Sequence, residues 1–363
     1  MLGNILIDKL RFNIPENNVI ETGYSIPEYI TFVKNVLSKY FYKSAFSVSN
    51  RYHEIKITLT PTRYTSDFNK TKDFNLEMSS EDWLYNLFSE LGLYEIQNRR
   101  LYEAYKIVEL HLIKNLITKE KPSVYMDFLL SRSFRYGFKA EIIESNATNK
   151  TLSIARHKIN NEASNTVGDR QFIFYDKAQQ ILNKTGMKYI QLKEHLTENE
   201  INQLPKNTYS KNDQKLHIEN LNMLRCELQY SNSNKLNKLE NFILGTKDKT
   251  TLKLSTLLDL LEQRRLYSKL NEYYVSELKK YVFYTLPEKD KKLPNAWKGL
   301  FVDLISGENI NYLTALYNDC TMGDIFKRNL ATAQEFNTVN HYLELYYKLG
   351  FGWWVAKNKY ISF

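Results

Sequence analysis

Ile107 to Ile113, IVELHLI, is the stretch on which the reading of this chain turns. Val108, Leu110 and Leu112 fall on one side of an extended backbone, and Glu109 and His111 on the other, because successive side chains of a strand point to opposite faces. The run therefore reads as a strand with one apolar face and one face carrying a carboxylate beside an imidazole. Side chains at i and i+2 lie close enough to share one divalent ion, and oxygen with imidazole nitrogen suits Mn²⁺ or Mg²⁺ better than a sulfur site would. A plain solvated strand face is the ordinary alternative.

The same parity recurs on both sides of this strand. Glu54 lies opposite Ile55 and Ile57, and Glu227 opposite Leu224, Cys226 and Leu228. If these strands are neighbours with their apolar faces packed on helices, Glu54, Glu109, His111 and Glu227 converge on the open face of the sheet. Amphipathic strands also place acids on their wet face with no further meaning.

Alternation marks further strands at Asn4 to Ile14, Arg51 to Leu59, Tyr105 to Leu116, Thr151 to Ala155, Gln171 to Tyr175 and Met223 to Tyr230. Helical spacing marks Pro27 to Tyr42, Glu81 to Leu91 with Ser79 or Ser80 as N-cap, and Ser123 to Phe134. Strands and helices do not alternate strictly, which argues for an α+β fold: a largely antiparallel central sheet of about five strands with helices on one face. Lys184 to Glu219, polar and containing Pro205, reads as a surface insertion. SNSNKLNK, from Ser231, reads as a linker into a mostly α-helical C-terminal domain. That domain holds a long helical stretch, Leu252 to Phe283, breaks at Pro287 and Pro294, and helices at Ala296 to Ile305 and Ala331 to Leu349. Residues 1–230 and 231–363 are thus expected to form two domains, a division that a length of 363 residues favours.

Lys and Arg outnumber Asp and Glu by 50 to 41, a formal charge of +9, which favours a polyanionic partner. Tyr (27) and Phe (19) are plentiful, and aromatic faces among basic residues are what single-stranded nucleic acid stacks on; a Tyr-rich core accounts for them equally well. Cys226 and Cys320 form no CxxC pair, so neither a disulfide framework nor a cysteine zinc site is supported, and a reducing cytoplasm fits. Asp8, Lys9 and Arg11 interrupt the N-terminal apolar run, and no stretch reaches membrane-spanning length, so a cytoplasmic protein away from the membrane is expected.

Gln171 to Ile181, QFIFYDKAQQI, places Tyr175 at a strand end just before a helix, a position expected to expose the phenol, with Lys177 two residues on. A tyrosine near a divalent cation and a lysine can lose its proton and attack phosphorus, forming a phosphotyrosine link. A packing tyrosine at a strand end is the plain alternative. Arg51, Lys56, Arg156, His157 and Lys158 are candidate contacts to a nucleic-acid backbone, or solvated surface.

In their order, IDKLRFNI, YHEIKITLTP, KIVELHLI, and FIFYDKAQQI followed by MLRCELQY resemble the replication initiators of filamentous phages and small rolling-circle plasmids. The resemblance covers roughly residues 1–230 and implies a fold like that of the HUH endonucleases. It implies that Tyr175 is the nicking nucleophile, that Lys177 is its base or a phosphate contact, and that Arg225 and Glu227 are the family's Arg-x-Glu pair. Glu109 and His111 look like a variant of the His, hydrophobic, His metal motif, with glutamate in the first place. The Gly and Asn turn that often follows the first acidic strand is missing from LTPTRYTSDFNK, which bears on Glu54.

The implied activity is metal-dependent nicking of origin DNA, single-stranded or in a cruciform or supercoil, through a 5′-phosphotyrosine, with rejoining in rolling-circle replication. Mn²⁺ or Mg²⁺ would be the cofactor. A host helicase and polymerase would be partners, and a homodimer is compatible with the reading. A relaxase or transposase of the same superfamily would share the chemistry. A non-catalytic DNA-binding regulator would keep the sheet without it, and the segment TMGDIFKRNLATAQEF has helix, turn, helix character that suits such a protein.

Overall fold

A computed structural model describes residues 5–20, 23–41, 43–61, 82–91, 105–118, 120–130, 138–146, 149–156, 170–185, 189–191, 215–217 and 221–281. The strands are β1 (Leu6–Pro15), β2 (Phe46–Arg51), β3 (Glu54–Leu59), β4 (Lys106–Ile117), β5 (Phe138–Asn146), β6 (Asn149–Arg156), β7 (Arg170–Asp176), β8 (Tyr189–Gln191), β9 (Lys215–His217) and β10 (Met223–Tyr230). The helices are α1 (Glu16–Ile20), α2 (Ile26–Tyr40), α3 (Asp82–Glu90), α4 (Pro122–Leu130), α5 (Lys177–Thr185), α6 (Ser233–Leu244), α7 (Leu254–Glu262) and α8 (Leu266–Tyr281). The chain is α+β, as expected.

Eight strands form one antiparallel sheet in the order β2-β3-β1-β4-β10-β7-β6-β5, and β8 pairs separately with β9. The sheet has two halves, each built from strands close in sequence, β2-β3-β1-β4 and β7-β6-β5. Strand β10 lies between them, bonded to β4 on one side and β7 on the other.

Alternation in the sequence becomes alternation in burial. In β3, Ile55, Ile57 and Leu59 are buried while Glu54, Lys56 and Thr58 are half-buried. Leu10, Phe12, Leu110, Leu112, Leu224, Leu228, Phe172, Phe174, Leu152 and Ile154 continue that apolar face across the sheet. Helix α2 starts with Pro27 in its first turn and Glu28 accepting from the Ser25 backbone N–H at 2.9 Å, and it buries Tyr29, Val33, Val36 and Leu37 on the core.

Helices α6 to α8 share this core through Leu236, Leu239, Leu257, Leu261, Leu270, Tyr274 and Leu278. Tyr274 OH donates to the Cys226 carbonyl at 3.1 Å, and the hydroxyls of Tyr230 and Tyr273 are 2.8 Å apart. Residue 230, where a domain boundary was expected, is the end of β10, and helices α6 to α8 that follow pack on the sheet. Residues 282–363 lie outside the described residues, with both later helical segments, the aromatic C-terminus and TMGDIFKRNLATAQEF.

Several local expectations are corrected. The run Arg51 to Leu59 holds a hairpin turn at Tyr52 and His53, so it spans the end of β2 and all of β3. SNSNKLNK is not a linker: it opens α6, whose N-cap Asn232 accepts from the Asn234 N–H at 2.9 Å. The stretch from Leu252 is two helices, parted at Arg264, which has φ 52°. Strands β2, β5, β8 and β9 were not foreseen, the last two within the stretch read as a surface insertion, and the main sheet has eight strands where about five were expected.

One helix departs from the expected single layer. Ala178 and Ile181 of α5 are buried outside the main cluster, as are Ile113, Ile117, Tyr175 and Met223, which by parity share the polar face of the sheet. Helix α5 packs on β10 and β7 and so covers that end of the polar face. Among the described residues, no helix is long and apolar enough to cross a membrane.

Candidate active site

Register fixes what meets on the polar face. On β4, Glu109 stands opposite Arg11 of β1, and His111 opposite Lys9 on one side and Gln229 of β10 on the other. Arg225 of β10 stands opposite Asn115 of β4 and Tyr175 of β7. The group spans the seam, with Glu109 and His111 from one half-sheet, Tyr175 from the other, and Arg225 and Glu227 on the joining strand. In β1 the register slips between Ile7 and Lys9, leaving Asp8 as an extra residue, and its carboxylate lies 3.3 Å from Arg225 Nη1.

His111 sits between two carboxylates. Its Nδ1 is 2.8 Å from Glu227 Oε1 and its Nε2 3.1 Å from Glu109 Oε1. Ionised carboxylates only accept, so both ring nitrogens must donate and the ring is an imidazolium. Burial pushes its pKa down, but the bonds to Glu109 and Glu227 outweigh this and the net shift is upward.

Glu109 Oε1 also accepts from Lys9 Nζ at 2.7 Å, and its Oε2 from Arg11 Nη1 at 2.8 Å. Burial pushes the Glu109 carboxyl up, yet His111, Lys9 and Arg11 together bring it down to about 2.

Tyr175 OH donates to Glu227 Oε2 at 3.4 Å. Gln229 Nε2 donates to Glu227 Oε1 at 2.9 Å, Gln171 Nε2 to Gln229 at 2.9 Å, and Ser153 Oγ to Gln171 at 3.0 Å, so the network runs on into β6. Arg225 Nε donates to Asn115 Oδ1 at 2.8 Å. Burial works against the Arg225 charge, but Tyr175, Asp8 and Glu227 hold it in place.

Glu109, His111 and Glu227, singled out from parity alone, are thus brought together, and Tyr175 joins them through Glu227. Glu54 does not join. It shares the face, but β1 stands between its strand and β4, and it pairs at the turn end with Asn13, whose Nδ2 donates to it at 2.5 Å. Lys177 opens α5 and turns its amine to Gln180 Oε1 at 2.8 Å; the cation hydrogen-bonded to the Tyr175 phenol is Arg225.

The phenol expected at an exposed edge is buried, 8% accessible, and burial raises its pKa, eased by Arg225 and reinforced by Glu227 and Asp8. Arg51 is exposed and Lys56 half-buried on the two outer strands. Arg156 ends β6 with its side chain outside the described residues, and His157 and Lys158 lie outside them altogether. Sequence reasoning missed Asp8, Lys9 and Arg11 as site residues. The alternation of β1 placed Lys9 and Arg11 on a polar face, but only register shows which face of which neighbour they meet.

By kind, two carboxylates and an imidazole are the hard oxygen and nitrogen donors that Mn²⁺ or Mg²⁺ takes. By placement they serve each other: the four cations Lys9, Arg11, His111 and Arg225 face the three carboxylates Asp8, Glu109 and Glu227. Among the described residues, no three His, Cys, Asp or Glu side chains converge as metal ligands do.

Compared with protein-family models, with curated proteins and with solved structures, the chain has no match in any of the three.

Proposed function

We propose that the chain is a DNA-nicking enzyme that cuts one strand with Tyr175 as nucleophile, in the manner of a rolling-circle replication initiator. The observation that carries this reading is the Tyr175 to Glu227 bond at 3.4 Å, which ties a phenol to the acid and imidazole group foreseen from strand parity. Glu227 is placed to take the phenol's proton as the oxygen attacks phosphorus, and Arg225 to steady the phenolate and the charge gathering on the phosphate. The bond from phosphorus to the 3′ oxygen breaks, the 3′ oxygen takes a proton from water, and a 5′-phosphotyrosine remains. Lys9 and Arg11 flank the path of the strand.

Glu109 and Glu227 with His111 would hold a divalent ion, Mn²⁺ or Mg²⁺. When bound it would polarise the phosphoryl oxygens. Binding it would require the imidazolium to lose a ring proton and turn that nitrogen from its carboxylate.

A second reading rests on the burial of Tyr175 and the mutual pairing of the charges: a binding module whose polar network only joins two half-sheets. The deciding experiment incubates the protein with single-stranded and supercoiled DNA from its own genetic element, with Mn²⁺ or Mg²⁺, beside Tyr175→Phe and Glu227→Ala. A covalent adduct that needs metal and disappears in Tyr175→Phe is the expected result. Tight binding with no adduct under any metal would leave the second reading.

A further inference from the structure

The β2–β3 hairpin turns through two residues, Tyr52 and His53, with φ of 55° and 59°. Positive φ at both central positions is the mark of a type I′ turn, which favours Asn-Gly, and a bulky side chain there is an outlier. Tyr52 gains nothing from packing that would offset this, since it is 87% exposed. The turn is nonetheless firmly mounted. Glu16 Oε1 accepts from Asn50 Nδ2 at 2.6 Å, its Oε2 lies 3.0 Å from His53 Nδ1, and its backbone N–H donates to the His53 carbonyl at 3.0 Å. Lys56 Nζ lies 5.5 Å from the centre of the Tyr52 ring, and Arg51 is exposed at the end of β2.

From Lys56 the polar face leads inward. Lys56 stands opposite Asn13, and Thr58, which accepts from Arg11 Nε at 3.0 Å, opposite Arg11. Arg11 and Lys9, with side chains 38% and 32% accessible, then reach Glu109 and the group around Tyr175. The nearby acids are engaged: Glu54 with Asn13, and Glu16 with Asn50 and His53.

We infer that the Tyr52 ring at this hairpin tip is a stacking site for one base of single-stranded DNA, whose phosphates run over Lys56, Arg11 and Lys9 toward the site. The identity of the ligand rests on the nicking reading; the site itself rests on the strained, exposed and firmly mounted ring among cations. An aromatic face flanked by cations suits any base, because every base has a stacking surface. The tip therefore adds grip on the strand without reading its sequence.

The test measures binding of a short labelled oligothymidylate by fluorescence anisotropy, and melting temperature, for wild type, Tyr52→Ala, Tyr52→Phe and the double variant Tyr52→Asn with His53→Gly. One stacked base corresponds to a weakening of roughly 5- to 150-fold in Tyr52→Ala, with Tyr52→Phe within about twofold of wild type. The double variant should bind as weakly as Tyr52→Ala while melting higher than wild type, so that binding and stability move in opposite directions and misfolding is no explanation. Wild-type affinity in Tyr52→Ala overturns the proposal, as does a Tyr52→Ala change confined to self-association. Adduct formation on single-stranded DNA from the protein's own genetic element with Mn²⁺ or Mg²⁺, beside Tyr175→Phe, reads the nicking reaction separately. No adduct with the Tyr52 effect intact removes the nuclease and keeps the stacking site, and an adduct with no Tyr52 effect does the reverse.

Discussion

Arg225 and Lys114 sit one register step apart on neighbouring central strands and are almost equally buried, yet they face opposite sides of the sheet and meet opposite fates. On the polar face Arg225 is held by Asp8, Asn115 and the Tyr175–Glu227 pair. On the apolar face Lys114, beside Cys226, has an amine with no hydrogen-bond partner among the described residues, and burial draws its pKa down from 10.5 to about 8. The polar face has evolved a matched set of charges around its buried cation, whereas the core tolerates a cation it has not matched. The first arrangement marks where charge is wanted, and the second is a plain cost.

The largest effect should come from removing the matched cation. Arg225→Leu leaves Asp8 and Glu227 without their central partner and should destabilise the fold by about 3–5 kcal/mol in urea denaturation. A loss below about 1 kcal/mol would mean that the network does not hold the seam.

Removing the unmatched cation should do the opposite. Lys114→Met should stabilise by about 3 kcal/mol near neutral pH, the free energy that corresponds to its shift from 10.5 to about 8. The sign follows from proton counting: between about 8 and 10.5 the unfolded chain binds more protons at this residue than the folded one, so wild-type stability gains with rising pH there. The difference between wild type and Lys114→Met should shrink across that window, and a constant difference would refute the assignment.

Acid should strike the polar face next. Glu109 is held at about 2, so its contribution, worth about 3 kcal/mol, is complete above 4.5 and is lost as the pH falls toward 2. Glu109→Gln should flatten that part of a stability profile measured by circular dichroism. The smallest probe trims a single bond: Asn115→Ala takes the acceptor from Arg225 Nε and should cost about 1 kcal/mol, well short of Arg225→Leu.

Parity carried much of the site. Glu109, His111 and Glu227 were legible because a period of two assigns each side chain a face before any neighbour is known. Parity also places Lys114 with Leu110 and Leu112, so the buried lysine was there to be read. Register was not legible. The extra residue at Asp8 and the pairing of Lys9 and Arg11 with Glu109 depend on which strands adjoin, and no local pattern encodes that.

Lys177 was misplaced for a related reason. The helix was foreseen just after Tyr175, but sequence does not show which way its first side chain turns, and Lys177 bonds Gln180 along α5. The β2–β3 turn was hidden because Tyr52 and His53 are not turn residues by type, and α6 because its polar opening masks Leu236 and Leu239 at helical spacing.

The place of β10 has a consequence for biosynthesis. It is the last strand of the sheet to leave the ribosome and the one that must enter its middle, between β4 and β7. Until residue 230 has emerged, the nascent chain can offer only two partial sheets, each with an inner edge whose backbone groups are unpaired. Those edges are the segments most open to wrong pairing or chaperone capture during translation, and a message cut short before codon 223 encodes no Arg225, no Glu227 and no seam for them to close.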